Sequence, residues 1–371
     1  FKKSETLDKG ENAFHGGSGP LNVSSAPMSS PLYRAFIQAG EQAGYATTDD
    51  FNGAQQEGFG PYQRTIHKGE RWSASYAYLR PIVGVRDNLT VISTGRVTRV
   101  LFDGKRATGV EVVEGKGGLP QSIFADGEVI VCAGAVQSPQ ILMLSGIGNA
   151  EHLDRFGIKS VVDSKGVGQN LQDHLDVTVI HEMTQPISAY SMQKGLKKLG
   201  VGLRYLMNQT GPGADNFLQA GAFLKSRPGL EMPDLQLHLV NAIMMDHGKH
   251  DPQKDGYTVH ACQLRPESRG TVCLASDDPF ANPAIDPNHL ATEEDRRAMR
   301  EAVKMVREVC QQEALKPFTG SEIMPGPGAT SDDDIDSFIR RTGETIYHPV
   351  GTVAMGVSDA QPLDGELRVK G

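Results

Sequence analysis

His348 stands at the head of a short uncharged stretch, HPVGTVAMG, that ends at Gly356. Small and apolar surroundings disfavour the charged imidazolium, so a ring placed there would be neutral and able to accept a proton near neutral pH. A positioned imidazole of this kind can act as a general base. The same histidine can also be a buried packing residue, and the stretch alone favours that interpretation.

Other histidines in the chain have less specific surroundings. His247 and His250 form an HxxH in the polar loop DHGKHDPQK, with no Cys or further His nearby. Because a metal site needs three or four protein ligands, we interpret this loop as solvated and predict no metal site. His238 and His260 lie on strand-like runs and are interpreted as sheet residues, with the lining of a pocket as the alternative.

Nucleotide-binding and hydrolytic motifs are missing from the sequence. A dinucleotide fold is marked by a strand, a GxGxxG turn and a helix, with an acidic residue about 20 positions on. The chain contains no such unit, and its glycine-rich stretches are predicted to be turns: HGGSGP at 15, GIGNAE at 146 and GVGQNL at 166. The GxSxG turn of the hydrolases is absent as well.

Composition narrows the class of protein. The 371 residues carry a formal net charge of −8 and no basic arm, which argues against nucleic acid as a partner. No apolar run of about 18 residues exists, so no transmembrane segment is predicted. The chain is longer than one core usually holds, and we expect two lobes. The four cysteines form no CxxC pair and are predicted to be small buried side chains.

Local signals predict the main helices. Hydroxyl residues that can cap a helix, each followed by proline or acidic residues, mark three N-termini: Ser30 with Pro31, Thr292 with Asp295, and Ser331 with the aspartates after it. A fourth helix, short and apolar, is predicted within GAVQSPQILMLSGIG at 134–148.

Two groups of strands are predicted. The first contains NLTVIS, RVTRVLF and ATGVEVV, with a hairpin turn at Asp103-Gly104, and then the apolar run GEVIVCA at 127–133. A continuous apolar strand that leads into a helix is typical of a sheet covered on both faces. The second group, from Leu175 onward, alternates apolar and polar residues as antiparallel strands do: VTVIHEM, FLQAGAFL, LQLHLV, YTVHACQL and TVCLAS.

Five motifs considered together resemble the glucose–methanol–choline (GMC) oxidoreductases. They follow in the order of that family over nearly the whole chain, and their details are most similar to its choline dehydrogenase and aliphatic alcohol dehydrogenase branch. The motifs are GERWSASYAYLRP at 69–81, GAVQSPQILMLSGIG at 134–148, VGQNLQDHL at 167–175, LRPESRGTV at 264–272 and TIYHPVGTVAMG at 345–356.

The resemblance implies a fold class of α+β or α/β type with the two-lobe GMC architecture. A partial FAD-binding, Rossmann-like lobe is expected over residues 61–173 and 343–371. A substrate-binding lobe, with a mainly antiparallel sheet backed by helices, is expected mainly over residues 1–60 and 174–342.

The resemblance also implies the chemistry. The family uses FAD and oxidises primary alcohols, here choline or an aliphatic alcohol, to aldehydes by hydride transfer to flavin N5. His348 matches the family histidine that acts as base or hydrogen-bonds the substrate oxygen. Val97 matches the residue whose backbone meets the adenine, and Ala133 and Gly134 match the turn close to the cofactor. The implied partners are the small-molecule alcohol and a quinone or respiratory-chain acceptor, and the implied location is cytoplasmic, with peripheral attachment to the inner membrane as a variant.

The sequence departs from the family at both ends. The GxGxxG unit would precede Phe1 and a second His or Asn would follow Gly371, so we expect a chain truncated at both ends that binds FAD weakly or not at all and is inactive alone. Three alternatives stay open: an alcohol oxidase that uses oxygen, a lyase with a structural flavin, and a cofactor-free, non-catalytic fragment of the substrate domain. Choline and aliphatic alcohols are not separated by the sequence.

Overall fold

The computed structural model describes residues 1–249 and 253–371, with the side chain of His247 left out, so the HxxH loop with His250 lies outside the described residues. The chain forms two compact units. Unit 1 comprises residues 1–89, 175–265 and 296–344, and unit 2 comprises residues 90–174, 266–295 and 345–371. These bounds differ from the expected lobes chiefly at residues 61–89 and 266–295. The assignment of a flavin lobe and a substrate lobe stays a prediction.

The helices begin where their caps predict. The Oγ atoms of Ser30, Thr292 and Ser331 each accept a backbone N–H from the first turn that follows. Around Ser331 the capping box is complete, because the Asp334 carboxylate accepts the Ser331 N–H in return. The helices are α1 (Pro31–Gln42), α2 (Gly134–Leu144), α3 (Ala150–Asp154), α4 (Ala189–Met192), α5 (Gly195–Asn208), α6 (Glu293–Cys310) and α7 (Asp332–Thr342).

The strands are short except in two sheets. They are β1 (Glu5–Leu7), β2 (Leu21–Ser25), β3 (Gly58–Pro61), β4 (Gln63–Arg64), β5 (Ile66–His67), β6 (Glu70–Arg71), β7 (Gly95–Asp103), β8 (Arg106–Glu114), β9 (Pro120–Phe124), β10 (Ile147–Gly148), β11 (Val162–Asp163), β12 (Leu175–Met183), β13 (Leu218–Leu224), β14 (Leu235–Val240), β15 (Gly256–Gln263), β16 (Thr271–Cys273), β17 (Ala284–Asp286), β18 (Thr319–Met324) and β19 (Glu344–Thr345).

Unit 1 is built on an antiparallel sheet in the order β18–β12–β15–β14–β13–β3. The alternation along β14 shows how the sheet is anchored: Leu235, Leu237 and Leu239 are fully buried, and the residues between them are less so. Helix α1 packs on β13 and β3, where the rings of Phe36 and Phe59 meet edge to face at 5.2 Å. The antiparallel sheet predicted for this region is confirmed for four of the five predicted strands. The fifth, TVCLAS, forms β16, which pairs with β17 in unit 2.

Unit 2 contains the antiparallel meander β7–β8–β9, whose first hairpin closes with the pair Asp103 and Arg106. The predicted turn is therefore confirmed. Helix α2 packs on β7 and β16, and its apolar side meets a core of six buried residues: Leu142, Met143, Ile147, Leu153, Val167 and Leu274.

Two predicted strands are wrong. Residues 127–133 and 88–93 form no strand, and Ile130, Val91 and Ile92 are exposed. The physical reason is that a strand needs a neighbour for its backbone hydrogen bonds, and no segment among the described residues pairs with either run. Cys132, in the first run, is exposed instead of buried. Cys262 and Cys310 are buried as predicted, and burial raises the pKa of the Cys310 thiol to about 12.

A buried histidine in unit 1 lies between two carboxylates. His15 Nδ1 is 3.0 Å from Glu5 Oε2, and its Nε2 is 2.8 Å from Asp50 Oδ2. Burial by itself would lower the pKa of His15, but hydrogen bonds and charge attraction from Asp50 and Glu5 outweigh it, and the pKa is raised above the ordinary 6.5.

This arrangement predicts a pH-dependent contribution to stability. Because the folded-state pKa of His15 is raised, its stabilising effect is complete below pH 6.5 and is lost as the pH rises through the folded pKa. His15→Gln should lower the free energy of unfolding by about 1–3 kcal/mol at acidic pH and by less in alkaline solution. Urea unfolding of both proteins between about pH 6 and pH 9 measures the difference.

His152→Gln is the matched control, because burial lowers the pKa of His152 and its effect should run in the opposite direction with pH. A difference between wild type and His15→Gln that does not change with pH would contradict the assignment.

Candidate functional site

The segment that carries His348 is fixed in unit 2 by one buried carboxylate. Asp173 Oδ1 accepts the backbone N–H of His348 at 3.0 Å and that of His174 at 2.9 Å. The Thr345 hydroxyl donates to Asp173 Oδ2. Asp173 thereby sets the backbone positions of both histidines.

The two histidine rings face each other. His348 Nδ1 lies 3.3 Å from His174 Nδ1, and the ring planes are nearly perpendicular, at 85°. In such a contact one nitrogen donates and the other accepts, so the two rings share a single proton between them. The His348 ring is exposed, so it is not packed in the core of the described chain. Its role as a proton acceptor stays a prediction.

A third histidine lies near Asp173. His289 Nε2 is 4.0 Å from Asp173 Oδ2 and buried, and it has no hydrogen-bond partner among the described residues. Burial lowers the pKa of His289, against the opposing charge of Asp173, so the ring is neutral near neutral pH.

The chain after His348 is held by backbone pairing. Val350 exchanges both of its backbone hydrogen bonds with Gln172, at 2.8 and 2.9 Å. Gly351 follows with φ +95°, and a Cβ there would lie 2.3 Å from the Asn170 carbonyl oxygen. Only glycine meets both conditions, which explains the glycine of the HPVGT sequence.

Thr352 connects this segment to helix α2. Pro139 inside α2 has no N–H, so the carbonyl of Ala135, four residues earlier, lacks its usual helical donor. The buried Thr352 hydroxyl donates to that carbonyl at 2.6 Å. The proline in the helix and the threonine after His348 therefore form one structural unit.

A cavity of about 400 Å³ lies beside the start of α2. Val97 and Ala133 both line it, and Gly134 follows Ala133 as the first residue of the helix. The first turn of α2 has neither a side-chain cap nor an acidic residue, so its N–H groups remain open to an acceptor. The other lining residues are Gly95, Arg96, Gln137, Gln140, Ile141, Leu144 and Pro279.

The predicted site residues therefore fall in two places of unit 2. Val97, Ala133 and Gly134 lie at the cavity, whereas His348 lies at the Asp173 anchor and does not line the cavity. His238 and His260 lie in unit 1 as a cross-strand pair, with His260 Nδ1 2.6 Å from Asp176 Oδ2. They are sheet residues, as predicted.

Several residues of the site were missed from the sequence. Asp173 and His174 lie in VGQNLQDHL, which contributed to the family resemblance without any single residue being assigned a role. The adjacent carboxylate and imidazole side chains are the signal that could have identified them. His289 has no local signal. Among the described residues no group of three or more His, Cys, Asp or Glu side chains is placed to hold a metal ion.

Comparison with known proteins places this chain in a family. A model described as GMC oxidoreductase matches residues 1–176 with its N-terminal part and residues 266–371 with its C-terminal part. Mitochondrial choline dehydrogenase of Mus musculus is 44% identical over all of this chain, which covers 62% of that protein. Oxygen-dependent choline dehydrogenase of Brucella ovis is 43% identical, also over the whole chain, with 67% of that protein covered. The chain spans about 60% of the length of the mammalian relatives that it matches.

Solved structures give the same result for the fold. Pyridoxine 4-oxidase from Mesorbium loti has a TM-score of 0.86 and 29% identity over 100% of this chain and 68% of its own. Formate oxidase of Aspergillus oryzae RIB40, from a study of FAD modification, has a TM-score of 0.90 and 26% identity over 99% of this chain and 70% of its own. No helix in the described part of the chain is long and apolar enough to cross a membrane.

Removing the Asp173 carboxylate should release both histidines. Asp173→Ala leaves two backbone N–H groups without their acceptor and should lower the free energy of unfolding by about 2–3 kcal/mol. Asp173→Asn keeps an acceptor oxygen and should cost less. Urea unfolding measures both changes.

Asp163→Ala is the matched control, because Asp163 also accepts a backbone N–H, from Ala150, but at an exposed position. A loss for Asp173→Ala no larger than that of the control would contradict the anchoring role.

Proposed function

Because the chain belongs to the GMC oxidoreductase family, we propose that its parent enzyme oxidises a primary alcohol, choline or an aliphatic alcohol, to the aldehyde. The observation that carries the proposal is the anchored pair of His348 and His174, whose backbones are set by one buried carboxylate while the His348 ring stays exposed. The names of the curated relatives support a small alcohol as substrate.

His348 accepts the hydroxyl proton of the alcohol. In the tautomer that donates from Nδ1 to His174, the Nε2 atom of His348 carries a lone pair and can receive that proton. A base positioned in this way contributes about 10²–10⁴-fold to the rate. Asp173 and the Gln172–Val350 pairing keep the ring in one place, and Thr345 and Thr352 hold the segment at its two ends.

The cavity at α2 fits one part of FAD. Val97, Ala133 and Gly134 would hold the cofactor there, with the Arg96 guanidinium and the Gln137 amide as polar groups on the same wall. Gly134 has φ +81° and open space where a Cβ would point, so a flat ring can approach its backbone. When bound, FAD supplies the hydride acceptor at flavin N5 for the carbon of the alcohol.

The electron acceptor of the parent enzyme is a quinone or another component of a respiratory chain. Such an acceptor resides in a membrane, so peripheral attachment to that membrane belongs to the proposal. An alcohol oxidase that uses oxygen is the second candidate, because the solved neighbours are named oxidases and the Brucella relative is named oxygen-dependent. Peroxide that accumulates during turnover would identify the oxidase.

Replacement of His348 tests the base. In the parent enzyme, His348→Gln should slow anaerobic flavin reduction by about 10²–10⁴-fold, because the hydroxyl proton loses its acceptor. Stopped-flow absorbance with choline and with a medium-chain alcohol measures the rate and identifies the preferred substrate. His152→Gln, on helix α3, is the control and should leave the rate unchanged. A His348→Gln enzyme that is reduced at the wild-type rate would exclude the role.

The 371-residue chain alone should hold FAD weakly or not at all and should not oxidise alcohols. The apolar run at 127–133 has no strand partner among the described residues and is partly exposed, so the side of unit 2 next to Ala133 is unsupported. Absorbance of the purified chain and of the parent enzyme, prepared side by side, measures flavin content. A flavin band near one per chain in the 371-residue protein would overturn this expectation.

A further inference from the structure

Helix α5 (Gly195–Asn208) contains no buried residue, although five of its side chains are large and apolar. Leu196, Leu206 and Met207 are 86%, 79% and 71% exposed, and Leu199 and Leu203 are 59% and 48% exposed. Proteins in water rarely expose a contiguous apolar patch of this kind. Where they do, the patch marks an interaction site.

The apolar side chains share one face of the helix. At about 100° of rotation per residue, the five fall within an arc of about 100°. Val201 and Tyr205 project from the opposite side and are half-buried, and Tyr205 lies close to the short turn at Pro212–Ala214. The leucine face of α5 therefore points away from unit 1, the reverse of an ordinary amphipathic surface helix.

Cations accompany this face. Arg204 lies about 60° beyond one edge of the leucine face, and Lys197 and Lys198 lie about 80° beyond its two edges. Lys194 precedes the helix, and all four cations are exposed. The sequence KGLKKLGVGLRYLMNQ from residue 194 to residue 209 contains no acidic residue, in a chain whose net charge is −8. Helices with leucines on one face and lysine and arginine on the rest of their surface are typical of those that lie in the plane of a membrane surface.

We propose that the leucine face of α5, defined by Leu196, Leu199, Leu203, Leu206 and Met207, docks on an anionic phospholipid bilayer. The helix would lie parallel to the surface over a length of about 21 Å, with the leucines among the acyl chains and the cations at the lipid phosphates. This inference rests on the proposed function and deepens it. The proposed function derives membrane attachment from the kind of electron acceptor, and the leucine face names the residues that would make the attachment.

The charges favour lipid over the other occupants. In a symmetric dimer the same face of two chains would meet, and the neighbouring cations would approach cations of like sign. An anionic lipid surface instead supplies phosphates along the whole length of the helix. A helix of 14 residues is marginally stable in water, so adsorption would also stabilise α5 itself.

Vesicle binding tests the proposal. The 371-residue chain should co-sediment with vesicles of phosphatidylcholine and phosphatidylglycerol, bind much more weakly to pure phosphatidylcholine, and dissociate as the salt rises from about 50 to about 500 mM. Leu199→Ala/Leu203→Ala should weaken binding at least tenfold while keeping the helix, because alanine favours helices. Lys197→Glu/Lys198→Glu should weaken binding to the anionic vesicles at least tenfold. Hydrogen exchange of residues 195–208 should slow when vesicles are added.

Leu119→Ala and Lys105→Glu/Lys116→Glu, exposed positions of unit 2, are the matched controls and should bind like wild type. The proposal is overturned if the chain does not bind, if the controls weaken binding as much as the α5 variants, or if α5 variants only change the oligomeric state measured by light scattering. It is also overturned if the parent enzyme fails to bind where the chain binds. Turnover is not part of the readout, so failure here leaves the proposed alcohol oxidation standing, and failure of His348→Gln leaves this surface standing.

Discussion

The site depends on a carboxylate that has been removed from water. A buried carboxylate is costly unless hydrogen bonds replace its hydration, and in Asp173 two backbone N–H groups and one hydroxyl do so. One donor is the neighbouring residue His174, and the other two, Thr345 and His348, lie 172 and 175 positions from Asp173 in the chain. The histidine pair, the Gln172–Val350 pairing and the threonine at the end of the segment all require that this contact be made. The arrangement of the candidate site therefore depends on the hydrogen bonds that replace the hydration of the Asp173 carboxylate.

The parts of the fold that were predicted correctly are those whose cause is local. The capping box of Ser331 and Asp334, the turn after Asp103 and the alternation along β14 each depend on residues within a few positions, so the sequence contains the whole argument. The family resemblance placed Val97 and Ala133, and the structure shows them on one cavity. That these residues contact a cofactor is predicted only by the family resemblance.

The parts that were not predicted depend on distant contacts. The partners of His348 became visible only when the fold brought Asp173 and His174 to it, and His289 joins them from a segment with no motif. Helix α5 shows the same limit in another form. The spacing of its apolar residues predicts an apolar face, but it does not predict whether that face is turned toward the protein or toward solvent. In the structure, the half-buried Val201 and Tyr205 show which side of the helix faces the protein.

Residues 129–135, where the run at 127–133 continues into α2, read Val-Ile-Val-Cys-Ala-Gly-Ala and contain no charged residue and no proline. A segment of this composition, without a strand partner among the described residues, can add to the sheet edge of another molecule, which is the first step of β-type aggregation. Ile130, Val91 and Ile92 offer exposed apolar side chains for such an encounter. The same stretch that leads into the cavity thus presents an exposed apolar edge, a feature that favours self-association at high protein concentration.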